Sequence, residues 1–414
     1  MRTLIRNGTV IDTAPLAVHP ATDVLITDGR ITALGPALTA DDAETVDATG
    51  RYVLPGFVDT HRHTWQTALR GIAADADLGE YLHRVLGDIA PRVQPADIHA
   101  GTLAGALDAI DGGVTTLQDF SHALYTPDHA DAAVSALRAS GIRALFGYGR
   151  PVFGGTADHA DVRRVHASMG GPLTMALAPH GPSYSPIETV EEDWALAREL
   201  GVPLVVHVGA GPVAERPVEA LRARGLLGPG ILYVHGNSLP DAELKLIADS
   251  GGTASVAPAV EARMGHGAPV AARFRAAGVV TGLGVDVVTT VAGDMFALMR
   301  AAMLSLDASG GPRLDVGDTL RMATIDGARA LGMANLVGSL APGKRADLML
   351  IRAGDVNLLG AVDPVAAVVT SAHPGNVEAV MVDGRFVKRD GRLEGVDLAR
   401  LAGELRESAG RLGL

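Results

Sequence analysis

VLPGFVDTHRH, residues 53–63, is an apolar run that ends abruptly in two histidines one residue apart. It reads as a buried strand, and side chains alternate along a strand, so His61 and His63 face the same way. Outward from it, seven more short apolar runs recur along the chain: GVTTLQDF (113–120), GIRALFGYG (141–149), PLTMALAPH (172–180), VPLVVHVG (202–209), ILYVHG (231–236), TASVAP (253–258) and VVTGLGVD (279–286). Helical stretches such as ETVEEDWALAREL (188–200) and DAELKLIADS (241–250) fall between them. Alternation of this kind signals βα units and a parallel sheet. Eight such units predict an α/β fold with a closed (β/α)8 barrel of the TIM type over residues 55–336. An open doubly wound sheet is the alternative, but no Gly-x-Gly-x-x-Gly follows the first strand, so a dinucleotide site has no support.

The two ends of the chain read differently. Leu4 to Asp12 is predicted to be a hairpin around Asn7-Gly8, and Asp23 to Leu34 another around Asp28-Gly29. VEAVMVDGRFVKRDGRL (377–393) repeats the pattern around Asp383-Gly384 and Asp390-Gly391. Each end is too small to bury a core alone. A small β-sandwich built from both termini, residues 1–54 plus 337–395, is therefore expected. Residues 396–414 have helical periodicity and are expected to pack on the outside.

Composition narrows the function. The 414 residues are 47% hydrophobic and 20% charged, with a formal net charge of -12. That suits a large soluble core and argues against nucleic acid or an anionic membrane surface as partner. The N-terminus lacks the apolar stretch of a signal peptide and no run is long enough to span a membrane, so a cytoplasmic location is expected. There are no cysteines, so a metal site must be built from His and carboxylate.

The position of the polar residues then decides the reading. His61 and His63 end the first barrel strand, His207 the fifth, His235 the sixth and Asp286 the eighth. Barrel active sites lie at the carboxyl ends of the strands. A polar group at the end of an apolar strand is costly unless it is paired or coordinating. A lone strand histidine is more often a satisfied rim residue; five such residues at the same end of a barrel argue for a shared cation, and zinc, iron and manganese all accept this donor set.

LPGFVDTHRH (54–63) resembles the first metal motif of the amidohydrolase superfamily. HTWQTALRG (63–71), with DLGEYL (77–82) after it, resembles its cytosine deaminase and triazine hydrolase, or chlorohydrolase-like, branch. VHGNSLPDAELKLIADSG (234–251) and MATIDGARALGMANLVGSLAPGKRADLMLI (322–351) are similar to that branch's sixth strand and to its exit from the barrel. The resemblance implies one divalent metal held by His61, His63, His207 and Asp286, zinc before iron or manganese. His235 would contact the attacked group or steer the water, and Asp286 would also accept the water's proton. No lysine ends the fourth strand, so a bridged two-metal site is not implied. The resemblance also implies a small-molecule substrate and a homo-oligomer, a dimer or larger.

Two strings depart from the branch. The third residue after His207, usually a glutamate that protonates the substrate ring, is Ala210; the nearest acid, Glu215, falls on a predicted solvated helix face. After the seventh strand stands APAVEARMGHG (257–267), where Glu261 is either the substitute acid or an ion-pair partner of Arg263, and His266 either a pocket residue or an exposed loop residue. Further substrate-binding candidates are Trp65 and Gln66 beside the first motif, His180 at the end of strand four and His122 after strand two. Trp65 is either a platform for a planar ring or a rim-packing aromatic. Arg62, pointing away from the two metal histidines, is expected to anchor a carboxylate in the barrel wall. Gln118, Asp119 and Asn237 are expected to support the site, and Asp294 to cap a helix. His19, His83, His99, His129, His159, His166 and His373 read as solvated. The expected activity is hydrolysis of a non-peptide C–N bond in a small cyclic or heterocyclic substrate by a metal-activated water, in the manner of a deaminase. Opening of an amide or cyclic urea is an alternative. So is a non-hydrolytic lyase or isomerase, because of the missing glutamate.

Overall fold

The computed structural model describes residues 2–155, 158–211, 213–305 and 313–414. Five strands come first: β1 (Arg2–Thr13), β2 (Leu16–Thr27), β3 (Arg30–Gly35), β4 (Glu44–Asp47) and β5 (Arg51–Pro55). The barrel strands follow as β6 (Phe57–Arg62), β7 (Val114–Ser121), β8 (Arg143–Gly149), β9 (Leu173–Ala178), β10 (Leu204–Val208), β11 (Ile231–His235), β12 (Thr253–Val256) and β13 (Val280–Leu283). The chain returns through β14 (Leu348–Arg352), β15 (Val377–Val382), β16 (Arg385–Arg389) and β17 (Arg392–Leu393).

All eight apolar runs are strands. They pair in sequence order from β6 to β13, every neighbour parallel. Every residue of β6 and β7 is buried, as a parallel sheet covered by helices on one face and filled by side chains on the other requires. Val58 on β6 and Val205 on β10 belong to one cluster with Ala328, Leu331 and Met333. Residues on such distant strands meet only through the lumen, so the segment after the last barrel strand plugs the barrel from its amino-terminal end. Outside, the helix Ile187–Leu200 buries Val190, Trp194 and Ala197 and leaves Glu188, Glu192 and Glu199 in water, the stripe that its sequence period dictates.

The last and first strands close the barrel only at its carboxyl end. Arg62 and Asp286 form a parallel bridge. The Asp286 N–H donates to the His61 carbonyl at 2.8 Å, and the His63 N–H donates to the Asp286 carbonyl at 2.8 Å. The seam thus runs through the residues singled out as metal ligands.

The two termini share one layer. Its strands form a single nine-stranded mixed sheet in the order β17-β16-β15-β14-β5-β1-β2-β3, with β4 on β1. The small β-layer expected from both termini is present: its hydrogen-bond ladder is continuous, and Ile5, Val24 and Ile31 from one half pack in one core with Leu348 and Met381 from the other. Asp28-Gly29, Asp383-Gly384 and Asp390-Gly391 are the predicted hairpin turns. Each pair has positive φ at both residues, the type I′ geometry that Asp-Gly favours. Asn7-Gly8 is not a turn. Asn7 has φ +59, and the register of β1 against β2 shifts on either side of Gly8, so the pair forms a bulge inside one long strand. The Asn7 N–H is taken by the Asp23 carboxylate at 2.9 Å rather than by the ladder. Arg143 on β8 ties the two layers: it donates to Asp347 at 2.8 Å and to Asp383 at 2.6 Å. The final helix, Leu398–Leu412, lies on the helix Pro95–Asp111 with Leu401 and Leu412 buried and Arg411 donating to Asp97 at 3.1 Å.

Candidate metal centre and substrate cavity

His61 and His63 emerge on the same side of β6. Each has its Nδ1 occupied by the neighbouring strand: His61 Nδ1 lies 3.3 Å from Gln118 Oε1, and His63 Nδ1 lies 2.9 Å from the Phe120 carbonyl. That fixes both rings with Nε2 turned inward, the arrangement that orients a metal-binding imidazole. Both Nε2 atoms stand 3.4 Å from Asp286 Oδ1. His207 at the end of β10 stacks on His63, with ring centroids 5.5 Å apart and planes 6° from parallel.

Gly284 lets the closing strand come this near. A Cβ there would sit 2.8 Å from the His61 main-chain nitrogen and oxygen. Beyond it, Asp286 has φ +66, and His235 at the end of β11 has φ +72. A non-glycine residue held there costs about 1–3 kcal/mol, and such strain gathers at functional sites.

The donor atoms of His61, His63 and His207 lie within 4.8 Å of one another, and those of His61, His235 and Asp286 do likewise. Zinc bonds nitrogen at about 2.0–2.1 Å, so one ion fits among them. His61 Nε2 is buried and has no hydrogen-bond partner, an orphan that a cation would satisfy. Burial, with neighbouring imidazoles adding to it, holds His63 and His207 well below the usual histidine range and keeps them neutral for coordination. Burial would raise the Asp286 carboxyl, but the His61 hydrogen bond and the surrounding imidazoles outweigh it and hold the group as a carboxylate.

Glu261 stands behind His235 and does not line the substrate cavity. Its Oε1 accepts from the Ala257 N–H at 2.7 Å and faces His235 Nδ1 at 3.1 Å; its Oε2 accepts from Asn237 at 3.3 Å. Burial lowers His235, yet Glu261 and Asp286 outweigh it and raise its affinity for a proton. Glu261, expected as either the substitute acid or a partner of Arg263, sits against His235 Nδ1, and His235 Nε2 lies 3.7 Å from Asp286 Oδ2. The alternative partner, Arg263, binds Asp75 instead.

A cavity of about 320 Å³ opens over this cluster. His122, His180 and His266 line it, as does Ala210. Trp65 and Gln66 do not line it. Trp65 is buried in the apolar core with its ring 5.9 Å from His122, and Gln66 donates to the Tyr81 hydroxyl at 2.7 Å. Tyr81 does line the cavity, with Leu78, Leu82 and Leu86 from the turns Leu78–Tyr81 and Leu82–Ile89. Sequence reasoning missed this wall, although the spacing of these four residues marks one helical face. Val152, Phe153 and Tyr184 complete the mouth and sit on loops, where no periodicity announces them. Glu215 is exposed, ahead of a helix rather than in it. His129, expected to be solvated, is buried and bonded to Thr126 and the Val93 carbonyl. Arg62 and Asp294 do as expected: Arg62 binds Asp108 at 2.7 Å, and Asp294 caps its helix.

A larger cavity of about 750 Å³ lies at the other end of the barrel, where Arg198 and Arg329 are the charged groups among its described lining residues. It offers no acid–base pair and lies away from the end at which barrel enzymes work.

The chain resembles known proteins over nearly its whole length. A profile described as the amidohydrolase family matches residues 52–387. The 5-methylthioadenosine/S-adenosylhomocysteine deaminase of Symbiobacterium thermophilum is 32% identical over 439 residues, spanning 99% of each chain. Its counterpart in Desulforudis audaxviator is 34% identical across 100% of this chain and 99% of its own. The 5'-deoxyadenosine deaminase of Methanothermobacter thermautotrophicus is 32% identical over 93% of each. Among solved structures, an adenosine deaminase from Xanthomonas campestris with bound zinc superposes with TM-score 0.90 at 27% identity, over 99% of this chain and 98% of that one.

Proposed function

Because this chain belongs to the amidohydrolase family and is a C–N hydrolase of the deaminase kind, we propose that it releases ammonia from adenosine-like nucleosides bearing a small apolar 5′ substituent. The observation that carries the reading is the pair of donor triads, His61-His63-His207 and His61-His235-Asp286, of which His63, His207, His235 and Asp286 line a largely apolar cavity. His61, His63, His207 and Asp286 would hold the metal, zinc by analogy with the Xanthomonas campestris structure, with iron or manganese suiting the same donors. When bound, the metal supplies a Lewis acid and lowers the pKa of water from about 15.7 to about 7.

The chain's own residues do the rest. Asp286 takes a proton from the attacking oxygen, and His235, aimed by Glu261, passes a proton to the departing amine. Leu82, Val152, Phe153 and Met264 exclude water and pack against an apolar substituent. No Lys or Arg lies among the described lining residues to pair with the carboxylate of a homocysteinyl group. The expected order of kcat/KM is therefore 5′-deoxyadenosine and 5′-methylthioadenosine above S-adenosylhomocysteine. Ammonia release from these three and from adenosine tests the reading, and no ammonia from any of them would contradict it. Ring-opening amide hydrolysis is the second reading, favoured by Ala210: no carboxylate except Asp286 is among the described lining residues, and amide cleavage needs a proton only at its leaving nitrogen. It would give a ring-opened product without ammonia.

A further inference from the structure

Adding water to an aminated ring carbon puts an electron pair on the adjacent ring nitrogen, which must gain a proton. The described cavity lining holds few groups able to deliver one. His63, His207 and Asp286 belong to the metal cluster, and His235 is held between Glu261 and Asp286. His122 Nδ1 faces the Phe120 carbonyl at 3.3 Å with its ring 4.2 Å from His63. His180 faces the Arg150 carbonyl at 3.4 Å, out on the wall.

His266 differs from all of these. It is 2% exposed and lines the cavity. Both ring nitrogens are buried without a hydrogen-bond partner, which leaves two polar atoms unpaid unless a ligand engages them. Its ring meets His235 edge-on at 4.6 Å. Its carbonyl accepts the Gly211 N–H at 3.0 Å, one residue on from Ala210, which lines the same cavity with only a methyl group. Burial, with His235 beside it, pushes the imidazole down to about 4, so it rests neutral, a donor at one nitrogen and an acceptor at the other.

We propose that His266 is a catalytic residue that relays the proton to the substrate ring nitrogen, the space over Ala210 admitting the imidazole in place of a carboxylate. The inference rests on the deaminase reading. As the water oxygen bonds to the ring carbon, the C=N π pair moves to the ring nitrogen, which takes the proton from one nitrogen of His266. The other nitrogen of His266 takes one proton of the water, and the imidazole ends as its other neutral tautomer. The remaining water proton passes from Asp286 through His235 to the amino group. The C–N bond breaks with its electron pair on nitrogen, giving ammonia and the ring carbonyl.

The test is His266→Ala beside His266→Gln, each assayed for ammonia release, metal content and rescue by added imidazole. The expected result is a kcat lower by about 10²-fold or more in both, metal content equal to wild type, and partial recovery of His266→Ala by imidazole. A kcat within about threefold of wild type, against the roughly 10²-fold expected of a general acid–base group, overturns the assignment. So does a loss that follows metal content or that imidazole does not relieve. A wild-type protein silent on every adenosine-like substrate removes the deaminase reading and this inference with it; an active wild type with unchanged variants removes the inference alone.

Discussion

At the residue scale, His61, His63 and His235 have their Nδ1 atoms occupied, which turns their Nε2 atoms into the site. His207→Ala and Asp286→Ala each take a donor from the cluster, so both are expected to lose bound metal and turnover together; either variant keeping both would refute its place among the ligands. Glu261→Gln preserves shape but weakens the hold on His235. Loss of such an orienting partner costs about 10–100-fold in activity, here expected in kcat with KM little changed. A near-normal kcat would mean that His235 needs no orienting partner. Asp119 allows a test of burial. It is fully buried with the Thr64 N–H at 3.2 Å, and burial pushes its carboxyl up to about 7 against the pull of Thr64 and Arg62. A raised folded pKa means that its contribution to stability is full below the unfolded value of about 3.9 and is lost as pH rises through about 7. Asp119→Asn in metal-free protein should flatten the fall in stability across that window, as read by urea denaturation; an unchanged slope would contradict the shift.

The ligand candidates were legible because the barrel's geometry puts them at strand ends, and an apolar run stopping at histidine is visible in a string of letters. The support around them was not. Glu261 is five residues beyond the end of β12 at Val256, and nothing local says that it folds back under His235. His266 sits between two glycines with no pattern, and only the packed chain reveals both its nitrogens buried and unpaired.

At the element scale, all eight barrel strands were readable as apolar runs, and three of the four hairpin signals were turns. Asn7-Gly8 misled because the residues that make a type I′ turn also make a bulge; the choice was set by pairing with β2, which local sequence does not encode. The wall made by Leu78–Tyr81 and Leu82–Ile89 was overlooked since each piece is short. The joint between layers rests on Arg143, buried between Asp347 and Asp383. Breaking a buried ion pair by removing one partner costs about 3–5 kcal/mol. Arg143→Ala should lose about that much stability in urea while its metal content at low denaturant stays normal. A loss below about 1 kcal/mol, the range of exposed pairs, would show that the joint does not depend on it.

At the scale of the whole molecule, the closure of the barrel and the chemistry share one seam. The Arg62–Asp286 bridge and the two main-chain hydrogen bonds between His61, His63 and Asp286 join the first and last strands. A metal held by these residues and by His207 would bind only the closed barrel. Binding of this kind stabilises the fold by about 4.1 kcal/mol when free metal exceeds its dissociation constant 1,000-fold. Chelation should therefore lower the melting temperature of wild type and leave that of His207→Ala nearly unmoved. The barrel and the terminal layer were legible as a pattern of strands; their closure was not, because it depends on contacts more than 200 residues apart in sequence.

The most direct measurement is metal content together with ammonia release from 5′-methylthioadenosine, made on wild type as purified, after chelation, and on His207→Ala. The account predicts a bound divalent metal and steady ammonia release in the first, and loss of both in the other two. Ammonia release that persists in the chelated protein or in His207→Ala would contradict it.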